Sequence, residues 1–244
     1  MTATSASTMH CTAKSLVVGG LTPLSTTDYP NHLSAVVFCQ GCPWRCGYCH
    51  NPHLLPAEWS GQIAWNDVLS FLDRRRGLLD AVVFSGGEPL AQKGLVEAVH
   101  AARNMGFNIG LHTGGAYPQR FAEVLPLVDW VGFDIKARFA EYPRITTVRG
   151  SGERALASAM LLLGSGVDHE FRTTVHPRQH DPLALERLAK DLGELGIRNY
   201  ALQEFRADGC TETTLVKNLP VSFLTGSWCA SIAPKFASFT VRRA

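Results

Sequence analysis

Along the chain, short apolar runs alternate with stretches in which apolar residues recur every three or four positions. The runs fall at 34–39 (SAVVFC), 81–84 (AVVF), 108–112 (NIGLH), 130–135 (WVGFDI), 170–175 (EFRTTV) and 200–205 (YALQEF). Their length and composition predict strands. Trp65, Val68, Leu69 and Leu72 share one helical stripe, and helical periodicity returns at 94–105, 119–125, 153–163 and 182–195. Strict alternation of strand and helix implies parallel strands joined by right-handed crossovers, hence a sheet covered by helices. The repeated units predict an α/β fold, a partial (β/α)6 barrel of parallel strands, although the period alone does not separate an open barrel from a flat sheet. No linker rich in Pro, Gly or Ser interrupts them, so 15–244 reads as one domain with a C-terminal extension from about 207. Further strands near 16–18 and 238–241 would extend or cover the edges.

In parallel α/β folds the loops after the carboxyl ends of the strands converge on one crevice, while the opposite ends serve stability. Here the strands run into CQGCPWRCGYCHNP, SGGEP, HTGG, DIK, VHP and EFR. Each ends in residues able to coordinate, cradle or carry charge. Asp134 and Lys136 lie two apart at a strand end, so both point to one face with Cα atoms roughly 7 Å apart. That face carries both signs of charge. By the same alternation Arg172, Thr174 and His176 share a face of the fifth strand.

The 244 residues are 45% hydrophobic and 18% charged, which excludes a disordered, collagen-like or coiled-coil chain. A net charge of +2 with scattered basic residues builds no footprint for nucleic acid or an anionic membrane. No apolar stretch approaches the ~18 residues of a membrane span; the nearest, 156–163, stops at Gly164. The opening MTATSASTMHCTAK lacks the basic head and apolar core of a secretion signal, and reads as a disordered tail over 1–14 of a cytoplasmic protein.

Seven cysteines change the picture, because Cys39, Cys42, Cys46 and Cys49 crowd into one segment. An odd, clustered set is not a secreted disulfide framework and points to metal or redox chemistry. Cys11, Cys210 and Cys229 stand alone and read as ordinary thiols. The C-x-x-x-C-x-x-C spacing of Cys42, Cys46 and Cys49 lets one loop grip a compact cluster, leaving one iron of a [4Fe-4S] cube open. A zinc site drawing on Cys39 or His50, or a fully ligated electron-transfer cluster with Cys39 as fourth thiolate, would use the same segment.

The cysteine spacing followed by the glycine-glycine-glutamate of SGGEP resembles the radical S-adenosylmethionine (radical SAM) enzymes. More narrowly, YCHNP resembles the activating enzymes of glycyl radical proteins. The block STTDYPNHLSAVVFCQGCPWRCGYCHNP, with FSGGEPL and DIK, is similar to the group that activates anaerobic ribonucleoside-triphosphate reductase; the likeness covers about 19–205. It implies a [4Fe-4S] cluster on Cys42, Cys46 and Cys49, with S-adenosylmethionine on the open iron and Cys39 not a ligand. Gly86 and Gly87 would let backbone approach the cofactor's amino-acid end, and Glu88 would add negative charge for its ammonium. Asp134 and Lys136 would bind the methionine moiety, Thr113 and Gly114 form another wall, and Arg172 reach the ribose side. Gln203 is a further candidate for that pocket, and His176 a structural loop histidine. The implied reaction is reductive cleavage of S-adenosylmethionine to a 5′-deoxyadenosyl radical that takes hydrogen from a glycine, with no acid–base residue required from the chain. The implied partners are a glycyl radical enzyme, namely anaerobic ribonucleotide reductase, and flavodoxin or ferredoxin as electron donor. The chain lacks a second cysteine-rich insert between Cys49 and Ser85, which many other activating enzymes carry. The alternatives are a radical enzyme acting on a small molecule, as 7-carboxy-7-deazaguanine synthase does, and a non-catalytic zinc or iron-sulfur module. Asn31 follows DYP where the family has glycine; asparagine tolerates the left-handed backbone region better than most residues.

Overall fold

The computed structural model describes residues 16–243 apart from 59, 218, 220–223 and 225. The tail expected over 1–14, with Cys11, lies outside the described residues. Among the described residues eight strands form one sheet in chain order: β1 (Val18–Ser25), β2 (Ser34–Cys39), β3 (Ala81–Gly86), β4 (Asn108–Thr113), β5 (Trp130–Asp134), β6 (Asp168–Val175), β7 (Asn199–Glu204) and β8 (Ser238–Arg242). β1 is antiparallel to β2, and all later neighbours are parallel. The helices are α1 (Trp65–Asp73), α2 (Leu95–Asn104), α3 (Pro118–Val124), α4 (Tyr142–Thr146), α5 (Ser151–Ser165), α6 (Pro182–Glu194), α7 (Thr213–Val216) and α8 (Gly226–Ile232).

Two apolar clusters show how the sheet is covered. The larger lies between sheet and helices and includes Val37, Phe84, Leu111, Phe133 and Phe171. Tilted ring contacts run through it from Phe121 on α3 to Phe133 on β5 (6.1 Å) and Phe171 on β6 (5.2 Å). Each such fully buried side chain contributes about 1.5–3 kcal/mol. The smaller cluster gathers Val36 of β2, Val83 of β3 and Trp130 of β5 around Tyr29 from the β1–β2 turn. In a flat sheet β2 and β5 would stand about 14 Å apart, so the strands curl around Tyr29. The expected partial (β/α)6 barrel is the fold found, with β2–β7 as its strands.

At the edges, the strand expected near 238–241 is found, and the one expected near 16–18 differs in extent. β1 runs eight residues from Val18 instead of covering 16–18. Gly19, Gly20 and Pro23 mask it, because they break the alternating pattern, yet an edge strand tolerates them. β8 adds one more parallel strand beside β7. The short helices α4, α7 and α8 span too few turns to leave a periodic signal. Asn31 does adopt a left-handed backbone, φ 63°. Among the described residues no helix is long and apolar enough to cross a membrane.

Candidate cofactor site

At the end of β2 the chain leaves the sheet as a loop pinned by backbone hydrogen bonds. Gly41 N donates to Leu54 O (2.7 Å), Cys42 N to Leu55 O (3.1 Å) and Arg45 N to Thr146 O at the end of α4 (3.0 Å). Cys39 closes the strand, fully buried in the core beneath the helices. Cys42, Cys46 and Cys49 instead line a cavity at the carboxyl ends of the strands. Burial, then the nearby Glu88, pushes the Cys42 thiol up to about 12; burial also raises Cys46 and Cys49. The chain alone therefore holds these thiols protonated at neutral pH, and only the positive charge of a metal centre would make them ligating thiolates. Among the described residues no three His, Cys, Asp or Glu side chains converge as they would around a single ion.

The glycine-glycine-glutamate turn after β3 forms the next wall. A Cβ on Gly87 would stand 2.5 Å from Gly41 O and 2.8 Å from Leu54 O, and one on Gly86 (φ 114°) would overlap the Cys39 backbone. Both positions border the cavity. Their first constraint, however, is close packing of this turn against the cysteine loop. Glu88 is 2% exposed. Its carboxylate accepts hydrogen bonds from Thr113 Oγ1 (2.6 Å), Leu90 N (3.1 Å) and Gly114 N (3.1 Å). A carboxylate has about four acceptor positions, so the chain itself uses most of them and Glu88 braces the β3 loop to the β4 loop. The Thr113 hydroxyl completes this brace by accepting from Gly115 N (2.9 Å).

The same cavity is bordered by a charge network. Asp134 Oδ2 lies 3.1 Å from Lys136 Nζ, and Asp134 Oδ1 lies 3.3 Å from Arg172 Nε. Arg172 also donates through Nη2 to Gly132 O (3.3 Å). A Cβ at 132 would sit 2.6 Å from the guanidinium, so any larger residue there would push Arg172 aside. Burial disfavours the Asp134 carboxylate, but Lys136 and then Arg172 outweigh it and hold its pKa down to about 2. Lys136 is correspondingly raised well above its usual range, burial being overcome chiefly by Asp134. Arg172, expected on the ribose side, is thus first a partner of Asp134.

Several other residues line the cavity without a motif to mark them. His112 on β4 faces the cavity and donates through Nε2 to Asp28 O (2.8 Å); burial and then Arg172 hold its pKa down to about 4, so the ring is neutral. Its parity with Gly110, inside the barrel, was the available signal. Trp44 and Tyr48, within the cysteine loop, are 2% and 4% exposed. Trp44 Nε1, Tyr48 Oη and His50 Nε2 are buried without hydrogen-bond partners among the described residues. All three residues border the same cavity. Buried orphans of this kind cost about 1–3 kcal/mol each, as expected of a pocket shaped for a polar occupant. Gln203 borders an adjoining cavity, whereas Cys42, Cys46, Cys49, Gly86, Gly87, Glu88, Thr113, Gly114, Asp134, Lys136 and Arg172 are brought together around this one.

Behind the cysteine loop lies part of the segment after 207. Cys210 Sγ reaches Gly47 O (3.5 Å), and Leu215 lies against Gly47. Gly209 (φ 77°) abuts the His50 carbonyl so closely that a Cβ would overlap it. His176 Nε2 donates to Leu215 O (2.9 Å), while Arg178 donates to Thr214 O and Lys217 O. His176 N in turn donates to His180 Nδ1 (3.1 Å), and His180 Nε2 to Lys136 O (2.9 Å). His176 is therefore a fully bonded structural histidine, tying the strap to the strand end that carries Lys136.

A sequence profile of the radical SAM superfamily matches residues 36–198. A Methanocaldococcus jannaschii protein carrying the provisional name glycyl-radical enzyme activating enzyme is 34% identical over 199 residues, covering 78% of this chain and 80% of that protein. A pyruvate formate-lyase-activating enzyme of Clostridium pasteurianum is 33% identical over 109 residues, covering 43% and 46%. Among solved structures, Streptococcus suis SuiB bound to S-adenosylmethionine superposes with a TM-score of 0.64 at 14% identity, over 84% of this chain and 48% of that one. QueE of Escherichia coli gives a TM-score of 0.51 at 18% identity, over 84% and 92%. The chain thus spans about half the length of SuiB, and at these identities the two structures speak to fold alone.

Proposed function

This chain belongs to the radical SAM superfamily, as an oxidoreductase working with a [4Fe-4S] cluster and S-adenosylmethionine, and from that premise we propose that it activates anaerobic ribonucleoside-triphosphate reductase by placing a radical on a glycine of that partner. The observation that carries the reading is the convergence of three half-buried thiols with a carboxylate, an ammonium and a guanidinium on one cavity. Cys42, Cys46 and Cys49 would hold the cluster, and Cys39 stays in the core. The cluster and S-adenosylmethionine supply the one-electron reductive cleavage that initiates hydrogen abstraction.

The chain's own work is binding and orientation. Asp134, held ionised, offers its carboxylate to the cofactor's ammonium, and Lys136 and Arg172 offer cations to its carboxylate. Glu88 and Thr113 fix the loops against which the methionine end rests. The orphaned donors of Trp44 and Tyr48 satisfy acceptors of the bound groups, and the indole and phenol rings keep water away. No side chain is needed as acid or base, which suits a neutral His112. Residues 209–217 of the extension after 207 back the cysteine loop, and a flavodoxin or ferredoxin provides the electron.

The test is anaerobic reconstitution with iron and sulfide, followed by addition of dithionite, S-adenosylmethionine and the reductase. Deoxyadenosine and a glycyl radical signal by electron paramagnetic resonance are expected together. Deoxyadenosine without a signal on the reductase overturns the partner; no deoxyadenosine from a loaded cluster overturns the activating reading.

A further inference from the structure

Lys136 lies just beyond β5, whose ladder with β6 ends at the pair Asp134 and Arg172. Ile135 N still donates to Arg172 O (2.7 Å), but at Lys136 the chain has left the sheet. Two side chains take over there. Lys136 N donates to Tyr142 Oη (3.1 Å), and Lys136 O accepts from His180 Nε2 (2.9 Å). Both backbone polar groups of the residue that carries the ammonium are thus gripped, one from α4 and one from the loop between β6 and α6. Neither Tyr142 nor His180 lines the cofactor cavity. Tyr142 is fully buried and His180 is 3% exposed.

The hydrogen bonds also fix the state of the His180 ring. His176 N, which can only donate, meets His180 Nδ1 at 3.1 Å. Nδ1 therefore carries the lone pair and Nε2 the proton. His176 is itself anchored, its Nδ1 accepting from Arg178 N (3.1 Å) and its Nε2 bonded to Leu215 O (2.9 Å). A neutral imidazole on a braced loop is aimed at the Lys136 carbonyl. Such support matters because displacing a binding group by about 1 Å can cost on the order of 100-fold.

We propose that His180 and Tyr142 are positioning residues for cofactor binding, setting Lys136 against the carboxylate of S-adenosylmethionine. The inference rests on Lys136 being the cation for that carboxylate and adds what holds the cation in place. Side-chain amides separate the two nitrogens of His180. A glutamine amide nitrogen reaches the place of Nε2 and still donates to Lys136 O. An asparagine amide oxygen replaces Nδ1, keeping the bond from His176 N and leaving the Lys136 carbonyl unpaired.

The experiment titrates S-adenosylmethionine into the reconstituted, reduced protein and follows the change it makes in the electron paramagnetic resonance signal of the cluster. His180→Asn and Tyr142→Phe are each expected to raise the apparent Kd about tenfold with iron and sulfide content unchanged, whereas His180→Gln stays within about threefold of wild type. With decarboxylated S-adenosylmethionine, which offers Lys136 no carboxylate, His180→Asn is expected to alter affinity by less than about threefold. Unchanged affinity in either His180→Asn or Tyr142→Phe, equal loss in His180→Asn and His180→Gln, or the same loss for the decarboxylated compound overturns the proposal. So does loss of iron together with affinity in His180→Asn, which would make the residue one of general packing. Wild-type protein that binds no S-adenosylmethionine overturns the activating reading along with this inference; wild-type binding with unaffected variants overturns this inference alone.

Discussion

At the scale of single residues, identity and burial sort the cysteines into two classes. Cys39 and Cys42 are three positions apart, yet one side chain is packed beneath the helices and the other borders the cavity. Cys42→Ala is expected to abolish both the iron-sulfur absorbance after reconstitution and deoxyadenosine formation, whereas Cys39→Ala retains both. Loss of the cluster in the second variant would move the ligand set. Asp134 separates charge from shape. Asp134→Asn leaves Lys136 and Arg172, 16% and 9% exposed, without their counter-charge. Breaking a buried pair from one side costs about 3 kcal/mol, to be read as a lower urea midpoint at neutral pH, together with weaker S-adenosylmethionine binding. An unchanged midpoint would show that the network is solvated in solution.

At the scale of elements, the cysteine loop is short of regular structure and takes its shape from its neighbours. The β3 turn supports it through Gly86 and Gly87, α4 through the Thr146 carbonyl, and the 209–217 strap through Gly209 and Leu215. Gly209 has a left-handed backbone, φ 77°, and no room for a Cβ beside His50 O. Gly209→Ala is expected to lift the strap and raise amide exchange over 42–50 about tenfold, ~1.4 kcal/mol of local opening, leaving the β4 and β5 amides unaffected. Unaltered exchange in the loop would show that the strap is mere packing. α7 escaped notice in the sequence because four residues carry no period; it is held in place by the His176 and Arg178 side chains from another loop.

At the scale of the whole molecule, buried neutral histidines set the acid limit of the apo-protein. Burial lowers the pKa of His176 and His180, and burial with Arg172 takes His112 to about 4. A histidine depressed in the fold binds its proton more readily when unfolded, so the unfolded state gains protons first as pH falls. Stability should therefore be full above the ordinary histidine range and decline from about pH 6.5 to pH 4, His112 alone accounting for ~3 kcal/mol by the lower limit. Asp134 adds nothing to this window, because its stabilisation is present above the usual carboxylate range and is lost only as pH falls toward 2. Urea midpoints from pH 7 to pH 4 measure the decline; a flat profile would mean that these histidines are solvated.

The amino-acid order alone was enough for the barrel strands, for the loops that gather at their carboxyl ends and for the three-thiol spacing. Those features are local: an apolar run, a turn and a cysteine interval are written in consecutive residues. Folding settled what distant residues do to one another. Glu88 became a brace because Thr113 and Gly114 come within hydrogen-bond reach of it, and Arg172 became the partner of Asp134 because β5 and β6 pair in that register. β1 and β8 are strands because neighbouring edges pair with them, despite glycines, a proline and half-exposed polar residues. Contact energy depends on separation in space, which curling of the sheet shortens for residues as far as 163 positions apart in sequence, such as Gly47 and Cys210, and farther for Gly47 and Leu215. No pattern in consecutive residues encodes that distance.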